Sequence, residues 1–137
     1  TKSAHVQNGF INEALAEITQ TLGSVLGVTR SAVWSYQATA KSITLEKQYL
    51  AKEEKFVEGG EFFEKDIPTY FKSVAEEEII VAEDAAAHPS LVEFKTGYLD
   101  VLDIRSMLDV PFFLDGKVGG VICCEHQGET KHWTPEE

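Results

Sequence analysis

Asp109 is the residue of this chain most able to do chemistry, because it is an acid inside an apolar run, Met107-Leu108-Asp109-Val110-Pro111. A carboxyl group in such surroundings must find a partner or hold its proton, and either state can serve a ligand. In an extended strand Arg105, Met107, Asp109 and Pro111 share one face. An internal Arg105–Asp109 pair is therefore the alternative to a ligand contact. Glu125 and His126 form a second polar pair, closing the run Val121-Ile122-Cys123-Cys124. Adjacent thiols on a strand point to opposite faces and cannot bridge without strain, so Cys123 and Cys124 read as small buried fillers. Cys124, His126 and His132 fall short of the three or four converging ligands that a metal needs, so neither a metal site nor a catalytic residue is expected. The aromatics Trp34, Tyr36, Phe62, Phe63, Tyr70, Phe94 and Tyr98 could line a pocket for a planar ligand or simply fill the core.

The 137 residues are one domain's worth, and 12 Lys+Arg against 23 Asp+Glu leave a net charge of −11. That balance repels phosphate backbones and anionic lipid, which excludes nucleic acid and membrane surfaces as partners. No apolar run is long enough to span a bilayer, and no signal-peptide pattern opens the chain. With two adjacent cysteines and no disulfide framework, a reducing, cytoplasmic setting is expected.

The elements that must position these residues follow from periodicity. Val6, Phe10, Ala14, Ile18, Leu22 and Val25, widened by Ile11, Leu15 and Leu26, form a helical stripe stopped at Gly27. It is broad enough to face a sheet and a second helix. Ser31–Tyr36 and Ser42–Leu50 predict an antiparallel hairpin. Residues 51–66 read as a loop, followed by a short helix after Ile67-Pro68 with Tyr70, Phe71 and Val74 inward. A brief strand spans Ile79–Ala82, and Pro89 opens a helix carrying Leu91, Phe94, Tyr98 and Leu102. Asp115-Gly116 predicts a type I′ turn between two strands, Arg105–Leu114 and Lys117–His126. That turn pairs Leu114 with Lys117, Met107 with Cys124 and Asp109 with Ile122, and puts Glu125 opposite Ser106, on the other face from Met107. Thr134-Pro135-Glu136-Glu137 is a capping box for a further helix, so the chain is expected to be cut from a longer protein within that helix.

In this order of elements, Asp84-Ala85-Ala86-Ala87-His88-Pro89, Ile104-Arg105-Ser106-Met107-Leu108-Asp109-Val110-Pro111, Asp115 through His126, and Trp133-Thr134-Pro135-Glu136-Glu137 together resemble the second half of bacterial sensory GAF domains. The resemblance spans nearly the whole chain and implies a single GAF domain over residues 1–137. It implies an α+β, PAS-like fold: a central antiparallel sheet with the terminal helices on one face. Short helices and loops then close a small-molecule pocket on the other.

The function so implied is non-catalytic. A small ligand, or a partner domain, would act through the terminal helices on an output domain such as a histidine kinase or a diguanylate cyclase or phosphodiesterase. A homodimer would form through the same helices. The ligand-binding set expected on this basis is Trp34, Tyr36, Phe63, Phe94, Tyr98, Arg105, Met107, Asp109 and Glu125. In bilin-binding relatives a similar strand ends in a pocket histidine, and Glu125 stands near that position; reaching the pocket would require a bulge at the strand end. No Cys follows His88, so covalent bilin attachment is not expected. The Asn-Lys-Phe-Asp-Glu pattern of the cyclic-nucleotide phosphodiesterase class is missing, and haem is not supported beyond His88 or His126 as possible ligands. A phosphate would need help from Arg105, Lys95 or a helix N-terminus. Two alternatives remain: a pocketless dimerisation domain filled by its aromatics, and a methionine sulfoxide reductase-like enzyme, for which two consecutive thiols are badly placed.

Overall fold

Pairing between strands decides what this fold brings together. The computed structural model describes residues 2–134, with side chains from residue 9 onward. It is an α+β fold with one seven-stranded antiparallel sheet. Strands β1 (Arg30–Gln37) and β2 (Ser42–Leu50) form the expected hairpin. Two three-residue strands, β3 (Lys55–Val57) and β4 (Glu61–Phe63), lie end to end along the outer edge of β2. Residues 51–66 are thus strand as well as loop. Elements so short carry too few alternating residues to be read from pattern, and the edge of β2 creates them.

Helix α2 (Pro68–Ala75) begins with Pro68 in its first turn and buries Tyr70, Phe71 and Val74 as the spacing predicts. β5 (Ile80–Ala82), β6 (Ile104–Leu114) and β7 (Lys117–Gln127) complete the sheet, in the order β3-β2-β1-β7-β6-β5. Between β5 and β6 the expected single helix is broken into a 3-10 stretch, Pro89–Phe94, a π turn, Lys95–Leu99, and a last α turn, Asp100–Leu102. Thr96 and Gly97 are weak helix formers at the point of change, and the wider π turn sits where packing sets the pitch.

Asp115 and Gly116 both have positive φ (51° and 76°), as a type I′ turn requires, and Leu114 pairs with Lys117 as expected. Beyond Phe113–Val118 the register slips by one, because Gly119 is an extra residue on β7. Gly120 then opposes Phe112, and a Cβ on Gly120 would lie 1.9 Å from the Trp34 carbonyl oxygen of β1. Met107 consequently faces Glu125, Leu108 faces Cys124, and Asp109 faces Cys123. The pairing extrapolated from the turn is corrected: Met107, Asp109, Cys123 and Glu125 lie on one face. A second irregularity between Ile104 and Ser106 throws Arg105 outward, off that face.

The two faces carry separate cores. Ala32, Trp34, Ile43, Met107, Val121 and Cys123 pack under α2 and the Pro89–Leu102 segment. On the other face Leu26, Val28, Cys124 and Trp133 form a smaller cluster. Helix α1 (Lys2–Leu26) crosses β1 and β2 there. It approaches through Thr19 and Gly23, and Ser31 Oγ donates to the Thr19 carbonyl at 2.5 Å. Most of the expected apolar stripe is therefore not core: Phe10 and Val25 are 69% and 74% exposed, and Ile11 and Ile18 are exposed with them. Small and hydroxyl-bearing residues win the sheet side because they let the helix backbone come close. Val6 lies outside the described side chains. Pro135, Glu136 and Glu137, and with them the expected final helix, lie outside the described residues. No described helix is long and apolar enough to cross a membrane.

Candidate functional site

The slipped register of β6 and β7 builds the site. It places two carboxyls, Asp109 and Glu125, in the apolar floor of a cavity, each 1% exposed. Around them stand Trp34 and Ile43 from β1 and β2, Met107 from β6 and Cys123 from β7. Four rings form the cover: Phe62 from β4, Tyr70 from α2, and Phe94 and Tyr98 from the 3-10 and π turns. These rings interlock edge to face, Phe62 on Phe94 at 5.2 Å and Tyr70 on Phe94 at 5.1 Å between centroids. The space among these side chains is about 20 Å³, room for about one water molecule.

Asp109 and Glu125 solve burial differently. Glu125 Oε1 accepts from Arg30 Nε at 2.8 Å, and Oε2 accepts from the Tyr98 hydroxyl at 2.7 Å. Arg30 Nη2 also reaches the Tyr98 hydroxyl and Gln48 Oε1, each at 3.4 Å. Burial opposes the charge on Arg30, but Glu125 and the Tyr98 hydroxyl together outweigh it and keep the guanidinium charged. Asp109 Oδ2 accepts from the Tyr70 hydroxyl at 2.5 Å, while Oδ1 has no hydrogen-bond partner among the described residues.

The Cys123 thiol lies between the two acids and donates to Glu125 Oε2 at 3.6 Å. Burial pushes the Asp109 carboxyl up to about 7, with the nearby Cys123 thiol and the Tyr70 hydroxyl bond opposing the rise and the Glu125 charge adding to it. Burial also raises the Tyr70 and Tyr98 hydroxyls and the Cys123 thiol well above their ordinary values, and takes Cys124 to about 12. Both thiols therefore carry their protons at neutral pH.

Of the residues singled out from the sequence, the fold gathers Trp34, Phe94, Tyr98, Met107, Asp109 and Glu125 at this cavity. Three stand elsewhere. Arg105 is exposed on its bulge, 3.7 Å from Asp103, and makes no pair with Asp109. Phe63 points outward, with Lys65 5.9 Å from its ring centre, because strand alternation turns Phe62 inward instead. Tyr36 is half-buried against Phe71, with 6.0 Å between ring centroids, beyond the cavity wall.

Arg30 was missed, being the first residue of its strand, with nothing local to tie it to Glu125 95 positions away. Tyr70 was visible as an inward aromatic, but not its bond to Asp109. Cys123, read as filler, lines the cavity as well. Neither His88, whose Nδ1 accepts from Ser90 N–H, nor His126 lines it. Among the described residues no group of three His, Cys, Asp or Glu is placed to hold a metal ion.

Comparison with known proteins agrees with this architecture. No curated relative matches the chain. Among solved structures, the phycocyanobilin-bound GAF domain from a cyanobacterial phytochrome superposes with a TM-score of 0.74 at 14% identity, covering 98% of this chain and 80% of that one. The GAF domain from Acinetobacter phosphoenolpyruvate-protein phosphotransferase gives 0.69 at 16% identity, over 91% of this chain and 70% of that one. Free methionine-R-sulfoxide reductase from Neisseria meningitidis, in complex with its substrate, gives 0.62 at 17% identity, over 88% and 65%. These similarities show a shared fold. The family model for the GAF domain matches residues 11–137, and the chain belongs to that family.

Proposed function

We propose that this GAF domain is a non-catalytic, cytoplasmic sensory module. A small molecule binds at the Asp109 cavity and the change passes through α1 to an adjacent output domain, such as a histidine kinase or a cyclic-di-GMP enzyme. The observation that carries the reading is Asp109 itself. A buried acid with one oxygen unpartnered costs stability and gives a core nothing in return, whereas a ligand that partners it explains its place. Half of the cover, Phe62 and Tyr98, comes from the elements least committed to regular structure: a three-residue edge strand and a π turn. A ligand larger than water must displace these rings, and one of water's size must bind the closed state better than the open one. Either way the two states differ in affinity, which is what a switch requires.

The route outward is short. Arg30 bridges Glu125 and Tyr98 on the cavity face, and its neighbour Ser31 bonds α1 on the other. Native mass spectrometry and thermal-shift screening of the purified chain against small metabolites test the reading. We expect a 1:1 adduct that raises Tm and alters hydrogen exchange in α1. A screen in which every compound leaves both unchanged would overturn it.

A second reading is a pocketless dimerisation domain, favoured by the rings that close the cavity to about 20 Å³ and by the exposed apolar face of α1. The two agree on a homodimer through α1 and part on ligand binding. We read the domain as non-enzymatic because Cys123 and Cys124 face opposite sides of the sheet as buried thiols. Methionine sulfoxide turnover that is lost in Cys124→Ser would refute that.

A further inference from the structure

Resting on the ligand-sensing reading, we infer that the Asp109 cavity takes a cationic ammonium group, either the ammonium ion or the head of a small primary amine. The charge account points that way. Arg30 and Glu125 neutralise each other at 2.8 Å, which leaves Asp109 as the unmatched ionisable group of the cavity. An anion would meet a carboxylate with no free cation beside it. A neutral ligand could bond Oδ1 but would leave the carboxylate uncompensated once Asp109 ionises. An ammonium group supplies both the donor and the charge.

Size and lining narrow the choice. About 20 Å³ matches an ion no larger than water. A calcium ion would need at least six oxygens and magnesium a near-octahedral shell, whereas two carboxyls and a thiol stand among rings here. Aromatic walls accept an ammonium through cation–π attraction as they do not accept a hydrated metal ion. Trp34, Phe62, Tyr70, Phe94 and Tyr98 provide that wall.

The groups facing Asp109 make binding pH-dependent. Tyr70 faces it from α2, Cys123 and Glu125 from β7, with Arg30 behind Glu125 on β1, and β5 offers the apolar Ile80. Asp109 keeps its proton up to about pH 7, and an ammonium must displace that proton to use both oxygens. Affinity therefore falls as pH drops below about 7 and levels off above it, until at alkaline pH the ammonium group loses its own proton.

The test is side-chain carboxyl NMR on the purified wild-type chain. It is titrated with ammonium, methylammonium, potassium, acetamide or acetate at constant ionic strength. We expect saturable shifts at Asp109 with ammonium, about tenfold weaker at pH 6 than at pH 8. The Asp109 midpoint should move below its unliganded position, with no saturation by potassium, acetamide or acetate. Saturation by methylammonium as well identifies an amine head; saturation by ammonium alone identifies the free ion. Asp109→Asn should lose about tenfold or more in affinity. The wild-type pH series decides the matter even if that variant folds poorly.

An ammonium response matched by potassium, or retained in folded Asp109→Asn, overturns the inference. So does silence from both cations. If ammonium and methylammonium are both silent while another compound binds in the metabolite screen, ligand sensing stands and the ammonium assignment alone fails. If nothing binds in either experiment, both fail.

Discussion

The two faces of the sheet are packed on opposite terms. The cavity face is large and aromatic, yet it holds the buried acids Glu125 and Asp109 and the partly buried Arg30. The helix face is small and joined by Thr19, Gly23 and Ser31, while much of the apolar surface of α1 looks away from the sheet. A core built only for stability would do the reverse, filling the sheet with apolar contact and keeping acids outside. The cavity face thus gives up stability for polar groups in fixed positions. The helix face gives up contact area for an apolar surface that a second chain can cover.

The sharpest way to break this contrast is Arg30→Ala. It strands Glu125 as an unpaired buried acid and should cost about 3–5 kcal/mol in urea unfolding. If the cost is that of a surface pair, the cavity face holds no buried electrostatics worth the name. The next largest effect lies in the pH dependence. Below about pH 4 Asp109 is protonated in folded and unfolded chains alike, so its burial costs little. From there to about pH 7 only the unfolded chain ionises, and the folded state loses about 1.4 kcal/mol per pH unit; above that the loss is complete. Asp109→Asn should remove this contribution, so its stability relative to wild type rises from pH 4 to 7 and then stays level. Parallel curves would show that Asp109 is not held in its neutral form.

Two smaller effects probe the helix face. Ser31→Ala deletes the bond to the Thr19 carbonyl and should cost about 1 kcal/mol, with faster hydrogen exchange in the second half of α1. Val25→Glu should leave the chain's own stability within about 0.5 kcal/mol, because Val25 touches little, yet it should abolish any dimer seen by sedimentation. A Val25→Glu chain that unfolds easily as a monomer would mean that α1 packs this face inward.

Much of the fold was legible. Periodicity located α1, the β1–β2 hairpin and α2, and Asp115-Gly116 specified the turn between β6 and β7 because only a few residues tolerate positive φ at both positions. The site was legible as a list of types, an acid in an apolar strand and a supply of aromatics, but not as an arrangement. One extra residue, Gly119, reverses which side chains of β7 face β6's inner face, and a second irregularity removes Arg105. The paired glycines 119 and 120 were the available signal, since adjacent glycines in a strand mark a bulge or a close backbone approach. Phe62 against Phe63 was undecidable locally, because either face of a three-residue strand is possible until its edge is paired.

The sequence alone therefore determined the longer elements and the turn, which rest on short-range sterics and patterning, and its motifs carried the resemblance to the family. Tertiary structure decided which face each side chain takes, that Arg30 meets Glu125, that Asp109 is left with a free oxygen, and that α1 turns its apolar stripe outward. The physical reason is the two-residue repeat of a strand. A single inserted residue is nearly invisible in a sequence, and it exchanges inside for outside along everything that follows.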